Sequence, residues 1–260
     1  MDGIDDFIRV GEAAARQAGA LLRKQFNTQF LVGQKGVIDL VTDIDIAAEK
    51  LIVSQIREAF PDHTILAEEN HNDAESGPTR WIIDPLDGTT NYAHGYPVFA
   101  VSIGIEIDGE IEWGVVYDPT RDEFFTARRG AGAWLNGAPL RVSETAVLGE
   151  SLLATGFPYN IRTDDRKNLV EFSAFAVRTH GVRRDGSAAL DLCYVAAGRL
   201  DGYWEHNLNP WDCAVGYLAV REAGGIVTDY NGNHGSIYVR ETLATNGRIH
   251  DEMKTVLAKG

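Results

Sequence analysis

The chain has 260 residues, 44% of them hydrophobic and 24% charged, so it can bury a sizeable core as one large domain or as two closely packed halves. Its 38 acidic residues outnumber 24 basic ones, and the net charge of -14 repels a phosphate backbone, so nucleic acid is not expected as the main ligand. Two cysteines, Cys193 and Cys213, exclude a disulfide framework and a cysteine-rich metal site, while an acidic start and the lack of any apolar run near ~18 residues argue against a signal peptide or membrane span, so a cytoplasmic protein without a membrane partner is expected.

In chain order, Ile4, Phe7, Ile8, Ala15, Ala18, Leu21 and Leu22 recur at three- and four-residue steps and predict an amphipathic helix over 4–26. After a Gly33-Gln34-Lys35-Gly36 loop, a second helix is expected over 45–60, with Ala48, Leu51, Ile52 and Ile56 on one side and Pro61 as its stop. Before it stand Asp39, Asp43 and Asp45, and helix capping by Thr42 or Asp43 is the plain reading of that segment. Strands are predicted at 64–66, 81–83, 98–107, 111–117 and 123–126, with Asp108-Gly109 and Asn136-Gly137 as tight turns, which together suggest an antiparallel sheet.

Past Gly149 strands and helices alternate. Strands are expected at 151–155, 182–183, 202–204, 226–228 and 242–245, and helices at 164–178, 187–198, 211–223 and from 249. The alternation predicts layered α/β packing and a division into halves 1–148 and 149–260.

The chemistry concentrates at Asp84-Pro85-Leu86-Asp87, which follows the apolar run Trp81-Ile82-Ile83 and precedes Gly88-Thr89-Thr90-Asn91. Two carboxylates at the end of a buried strand are costly unless water, hydrogen bonds or a cation compensate them. Pro85 restricts the backbone so that both carboxylates and the Leu86 carbonyl can aim at one point, and oxygen donors alone suit Mg²⁺, Mn²⁺ or Ca²⁺ rather than zinc. Gly88 lets an anion approach the amides that follow; the bland alternative is a turn with solvated aspartates and a threonine cap. Glu68 ends another apolar strand and reads equally as a ligand to the same cation or a loop acid. Asp212, after Pro210 and Trp211, reads as a helix-start charge in isolation, and Glu205 either holds a ligand hydroxyl or faces solvent.

Together, these segments resemble the inositol monophosphatase family. The run from Trp81 through Asp84-Pro85-Leu86-Asp87-Gly88-Thr89 to Tyr92 is similar to that family's first motif almost letter for letter. Trp211-Asp212-Cys213-Ala214-Val215-Gly216, with Glu222 to Gly225 behind it, resembles the second, and the similarity spans 39–246 and includes Arg183-Arg184-Asp185-Gly186-Ser187-Ala188-Ala189. Leu86 and Ser187 stand where relatives often carry Ile and Thr; the first would act through its backbone and the second keeps a hydroxyl.

The resemblance implies a layered αβαβα sandwich of the mixed α+β, sugar-phosphatase type and a homodimer sensitive to lithium. It implies two or three Mg²⁺ ions, with Mn²⁺ as a substitute, on Glu68, Asp84, the Leu86 carbonyl, Asp87 and Asp212. Phosphate would lie against the Gly88 and Thr89 amides, Asp45 and Thr89 would orient the attacking water beside Glu68, and Arg183, Gly186, Ser187, Ala188 and Glu205 would meet the substrate. No G-x-x-x-x-G-K-[ST] loop, G-x-S-x-G elbow or H-E-x-x-H helix supports a rival enzyme class. The expected reaction is hydrolysis of a small phosphorylated polyol or sugar, myo-inositol 1-phosphate first. Fructose 1,6-bisphosphate, histidinol phosphate and nucleotide phosphates are alternatives, and so is a binding protein that keeps the fold.

Overall fold

The computed structural model describes residues 3–28, 31–34, 40–70, 73, 77–163 and 167–259. Lys35, Gly36, Asp39 and the expected helix start at 164–166 lie outside them. Helices α1 (Ile4–Gln25) and α2 (Asp43–Ala59) form where the apolar periodicity predicts them. Between them Val32–Gln34 (β1) pairs antiparallel with Leu40–Thr42 (β2), a short ribbon whose three-residue strands are too brief to show alternation in sequence.

The first sheet has seven strands in spatial order β3 (Thr64–Ala67), β4 (Thr79–Asp87), β5 (Ala100–Ile107), β6 (Glu110–Asp118), β7 (Glu123–Arg128), β8 (Gly132–Leu135) and β9 (Ala138–Pro139). The expected antiparallel arrangement holds except at its edge, where β3 runs parallel to β4, the two being joined by the segment 68–78 and not by a tight hairpin. β4 also does not stop at Ile83. It continues through Pro85 to Asp87, and its register against β5 shifts between Asp84 and Asp87. A proline is tolerated there because the ladder is already broken by the irregularity.

The second sheet orders β11 (Gly181–Arg183), β10 (Leu152–Thr155), β12 (Gly202–His206), β14 (Glu241–Thr245) and β13 (Ile226–Thr228), parallel between β11, β10 and β12 and antiparallel beyond. β12 runs two residues further than expected, so Glu205 lies within a buried strand rather than after it. The five-residue helix α3 (Thr89–Ala93) opens the loop after β4, and α4 (Leu169–Ala176), α5 (Ala188–Ala196), α6 (Pro210–Glu222) and α7 (His250–Leu257) complete the chain.

The layers follow from which face each helix buries. α1 and α2 cover one face of the first sheet, with Ala14, Ala18, Leu22, Ile52 and Ile56 packed on Trp81, Ile103 and Val115. α5 and α6 fill the space between the sheets, and α4 and α7 cover the outer face of the second through Phe175, Trp204 and Met253. The architecture is the αβαβα sandwich. Close approach sets the position of α6: a Cβ on Gly114 would come within 2.6 Å of Val215, and one on Gly216 within 2.4 Å of Leu192. Bare backbone at both points lets α6 sit down on β6 and against α5, which fixes where its first turn, with Asp212, meets the end of β4. Among the described residues no helix is long and apolar enough to cross a membrane.

Candidate active site

Three chain segments bring acids to one place. At the register break of β4, Asp84 Oδ1 accepts the Leu86 amide at 3.0 Å, closing a tight turn that buries Asp84 and Asp87 side by side. Asp87 Oδ2 accepts the Ser187 hydroxyl at 2.5 Å and the Ala189 amide at 2.8 Å, so the start of α5 holds this carboxylate. Asp212 sits at the third position of α6, and its Oδ2 accepts the Asn209 amide at 2.7 Å. The helix-start reading of Asp212 is therefore right about one of its oxygens.

Behind them lies a second pair. Asp45 is fully buried; its Oδ2 accepts the Thr42 amide at 2.8 Å together with the Thr42 hydroxyl, and its Oδ1 stands 2.9 Å from the Thr89 hydroxyl. The same hydroxyl lies 3.0 Å from the Leu86 carbonyl, so its single proton serves one of two acceptors at a time. Gly88 makes this approach possible. Its φ of 98° is left-handed, and a Cβ there would lie 2.9 Å from the Val98 carbonyl and 3.3 Å from that of Gly186. Asn91 ties the same loop across, donating to Val98 at 2.8 Å and to the Asp185 carbonyl at 2.7 Å.

The electrostatics are those of uncompensated negative charge. Burial pushes Asp84 well above the usual carboxylate range, and the charges of Glu68, Asp87 and Asp212 push it further. Burial likewise raises Asp212, aided by Glu68, and raises Asp87 against the lowering effect of Ser187 and Ala189. Among the described residues none of Asp84, Asp87 and Asp212 forms an ion pair with Lys, Arg or His. Nor do three or more His, Cys, Asp or Glu side chains there close into a ready metal cage. Each of the three buried aspartates instead turns one oxygen to a protein donor. The donor chemistry nonetheless suits a hard divalent cation: these ligand atoms are oxygen, and among the described residues no side-chain cation pairs with their charge.

Beside this cluster opens a cleft of about 60 Å³ lined by Asp87, Gly186, Ser187, Ala188, Glu205 and Asp212 among others. Gly156 forms the wall against Glu205, since any Cβ there would fall within 2.1 Å of the carboxylate. Burial raises Glu205 to about 7, against the lowering effects of the Tyr203 hydroxyl that donates to it and of Arg184. Arg183 is exposed and turns back toward Gly181, whereas Arg184 borders the cleft. Sequence reasoning also passed over Asp191, which lines the cleft and has an Oδ1 buried without a hydrogen-bond partner. It is the lone charge in the apolar run Ala188 to Ala196, and that isolation was the available signal.

The model of the inositol monophosphatase family matches residues 4–259. The chain belongs to the inositol monophosphatase family. It is 47% identical over 258 residues to an inositol-1-monophosphatase of Synechocystis, covering 98% of this chain and 90% of that one. It is 46% identical over 254 residues to the Nus factor SuhB of Escherichia coli K12, covering 96% and 94%. The solved inositol monophosphatase from Anabaena superposes with a TM-score of 0.90 at 44% identity over 98% of this chain and 96% of that one. As a family member the chain is a phosphatase.

Proposed function

We propose that this phosphatase hydrolyses myo-inositol 1-phosphate with Mg²⁺, and that Glu68, Asp84, the Leu86 carbonyl, Asp87 and Asp212 hold the metal. The observation that carries this is the convergence of three buried carboxylates, from β4 and α6, with no ion-paired side-chain cation among the described residues to offset them. Mg²⁺, or Mn²⁺ in its place, would supply a water of lowered pKa and neutralise charge on the phosphate. The protein's own part is orientation. Asp45 is fixed by Thr42 and takes the Thr89 proton, which turns a Thr89 lone pair toward the attacking water and lets the pair act as base. The Gly88 and Thr89 amides would face the phosphate, presented by a left-handed turn at Gly88 that a side chain would strain. Ser187 positions Asp87, because its hydroxyl is already donated there.

The acid-lined cleft supports a polyol. Glu205 and Asp191 accept hydroxyls, Gly186 and Ala188 leave room for a ring, and a second phosphate would meet several carboxylates against one guanidinium, Arg184. In this cleft Arg184 takes the part that the resemblance gave to Arg183. The halves 1–148 and 149–260 share the site, the first giving Asp45, Glu68, Asp84 and Asp87 and the second Asp212 and Glu205. Exposed Leu169, Val170 and Val177 along α4 support pairing into a homodimer, and the acidic, cysteine-poor composition suits the cytoplasm.

The test is phosphate release from inositol 1-phosphate, fructose 1,6-bisphosphate, histidinol phosphate and adenosine 3′,5′-bisphosphate, each with Mg²⁺ and with EDTA. Fast, EDTA-sensitive turnover of the inositol ester is expected; preference for another ester overturns the substrate, and release indifferent to EDTA overturns the metal. A second reading, a regulatory binding role, draws on the name Nus factor carried by the Escherichia coli relative. An Asp84→Asn chain that loses phosphate release yet restores growth to a deletion strain would support that role beside the enzyme.

A further inference from the structure

A larger cavity, about 400 Å³, lies away from the active cleft, between the β5–β6 turn, the second half of α6 and the loop over 234–238. No residue lines both spaces, and Arg221 follows Asp212 by nine positions on α6, roughly 14 Å along a helix. Its apolar wall is Ile111, Leu218 and Ile237.

The charges in its wall are unevenly matched. Arg129 bonds Glu110 and stands 3.1 Å from Glu112, while the Glu222 oxygens accept the Gly130 and Gly132 amides at 2.9 and 3.0 Å. Both wall carboxylates thus already have donors. Arg221 donates to the Gly235 carbonyl and lies 5.8 Å from the Tyr217 ring centre, and among the described residues no carboxylate stands within ion-pair distance of it. Burial lowers its pKa from the ordinary guanidinium value; the charges of Tyr217 and Glu110 act against that and the charge of Arg129 with it. Among the described residues this half-buried cation, in a space of ligand size with an apolar wall, has no anion in direct contact, since the nearby Glu110 is held by Arg129.

We infer that this cavity is a second binding site, for a small organic oxyanion whose phosphate or carboxylate head pairs with the Arg221 guanidinium and whose apolar body rests on Leu218 and Ile237. A guanidinium fork matches either head group, and Glu110 excludes ligands bearing a second charge at that end.

Phenylphosphonate titrated into the full-length, magnesium-free protein and followed by amide ¹H–¹⁵N shifts tests the assignment. Saturable shifts at Arg221, Gly235 and Ile237 are expected, weakened about tenfold or more by Arg221→Gln, the scale of one charged hydrogen bond. Ser236→Asp, which puts a carboxylate into the wall, should abolish them and serves if Arg221→Gln does not fold. Shifts confined to the Asp84–Thr89 cleft, no shifts at all, or unchanged affinity in a folded Arg221→Gln or Ser236→Asp protein would overturn the site.

Discussion

Two helices of this protein begin in nearly the same way and end up with different duties. In α2 and in α6 an aspartate at the third position turns back to the amide that precedes the helix, Asp45 to Thr42 at 2.8 Å and Asp212 to Asn209 at 2.7 Å. Both starts are reciprocal capping boxes, Thr42 with Asp45 and Asn209 with Asp212, and at α2 the Thr42 hydroxyl accepts the Ile44 and Asp45 amides at 3.2 and 3.3 Å. At α6 the first turn is begun by Pro210, which has no amide hydrogen to satisfy. The other oxygen makes the difference. That of Asp45 faces Thr89, so both its oxygens are held by protein, whereas that of Asp212 accepts no hydrogen bond from protein among the described residues. One geometry therefore yields a fixed acceptor that orients a neighbour in one place and an open acceptor in the other. Capping and chemistry are not competing explanations of either residue.

The largest effect should come from the open acceptor. Asp212→Asn keeps an oxygen for the Asn209 amide but removes a charge from the cluster, so phosphate release with Mg²⁺ should fall roughly a thousandfold, the scale of several kcal/mol of lost charge stabilisation. In EDTA the same variant should melt no lower than the parent, because burial and the Glu68 and Asp87 charges raise this carboxyl and its loss relieves them. A large drop in melting temperature would mean that Asp212 is chiefly a cap. For the closed acceptor the expected loss is smaller: Asp45→Asn and Thr89→Ala should each lower kcat by about a hundredfold with KM little changed. The double variant should be no worse than the poorer single one, since the two act as a unit. Additive losses would separate them and break the pairing.

This contrast was only partly legible beforehand. Asp84 and Asp87 could be read together because Pro85 and one turn join them, so local sequence nearly dictates their shared position. Asp45 and Thr89 lie 44 residues apart, and only resemblance linked them, because their contact depends on how α2 packs on the sheet. Glu205 was expected just after a strand ending at Trp204, yet β12 runs on to His206, pairs Glu205 with Thr242 of β14 and buries both polar residues. Gly156 had no signal at all: a glycine after a strand is ordinary, and its need appears only when the Glu205 carboxylate is found against it.

Glu205 sharpens the comparison from outside, as a buried acid held by a phenol where the two capping acids have backbone donors. Its folded pKa is raised from 4.5 to about 7 by burial. An acid raised in this way favours the folded state while protonated, so its contribution is fully present below about pH 4.5 and is lost as pH rises through about 7. In EDTA, Glu205→Gln should flatten the pH dependence of the melting temperature over that interval. If the slope persists unchanged, the ionised Glu205 is not what opposes folding there.

The smallest effect returns to the helix starts. Thr42→Ala removes a side chain that caps two amides and also helps hold Asp45. Stability should fall by about 1 kcal/mol in urea melts, the usual cost of losing such a cap. Because Asp45 Oδ2 keeps the Thr42 backbone amide but loses the hydroxyl, kcat should fall a little as well, by less than in Asp45→Asn. Pro210→Ala loosens the first turn of α6 without touching its cap, and the Asn209 amide still holds Asp212, so its activity should stay at the parent level. If Pro210→Ala slowed turnover as much as Thr42→Ala, the aim of Asp212 would depend on the rigidity of that first turn rather than on the bond to Asn209, and the two helix starts would differ less than their second oxygens suggest.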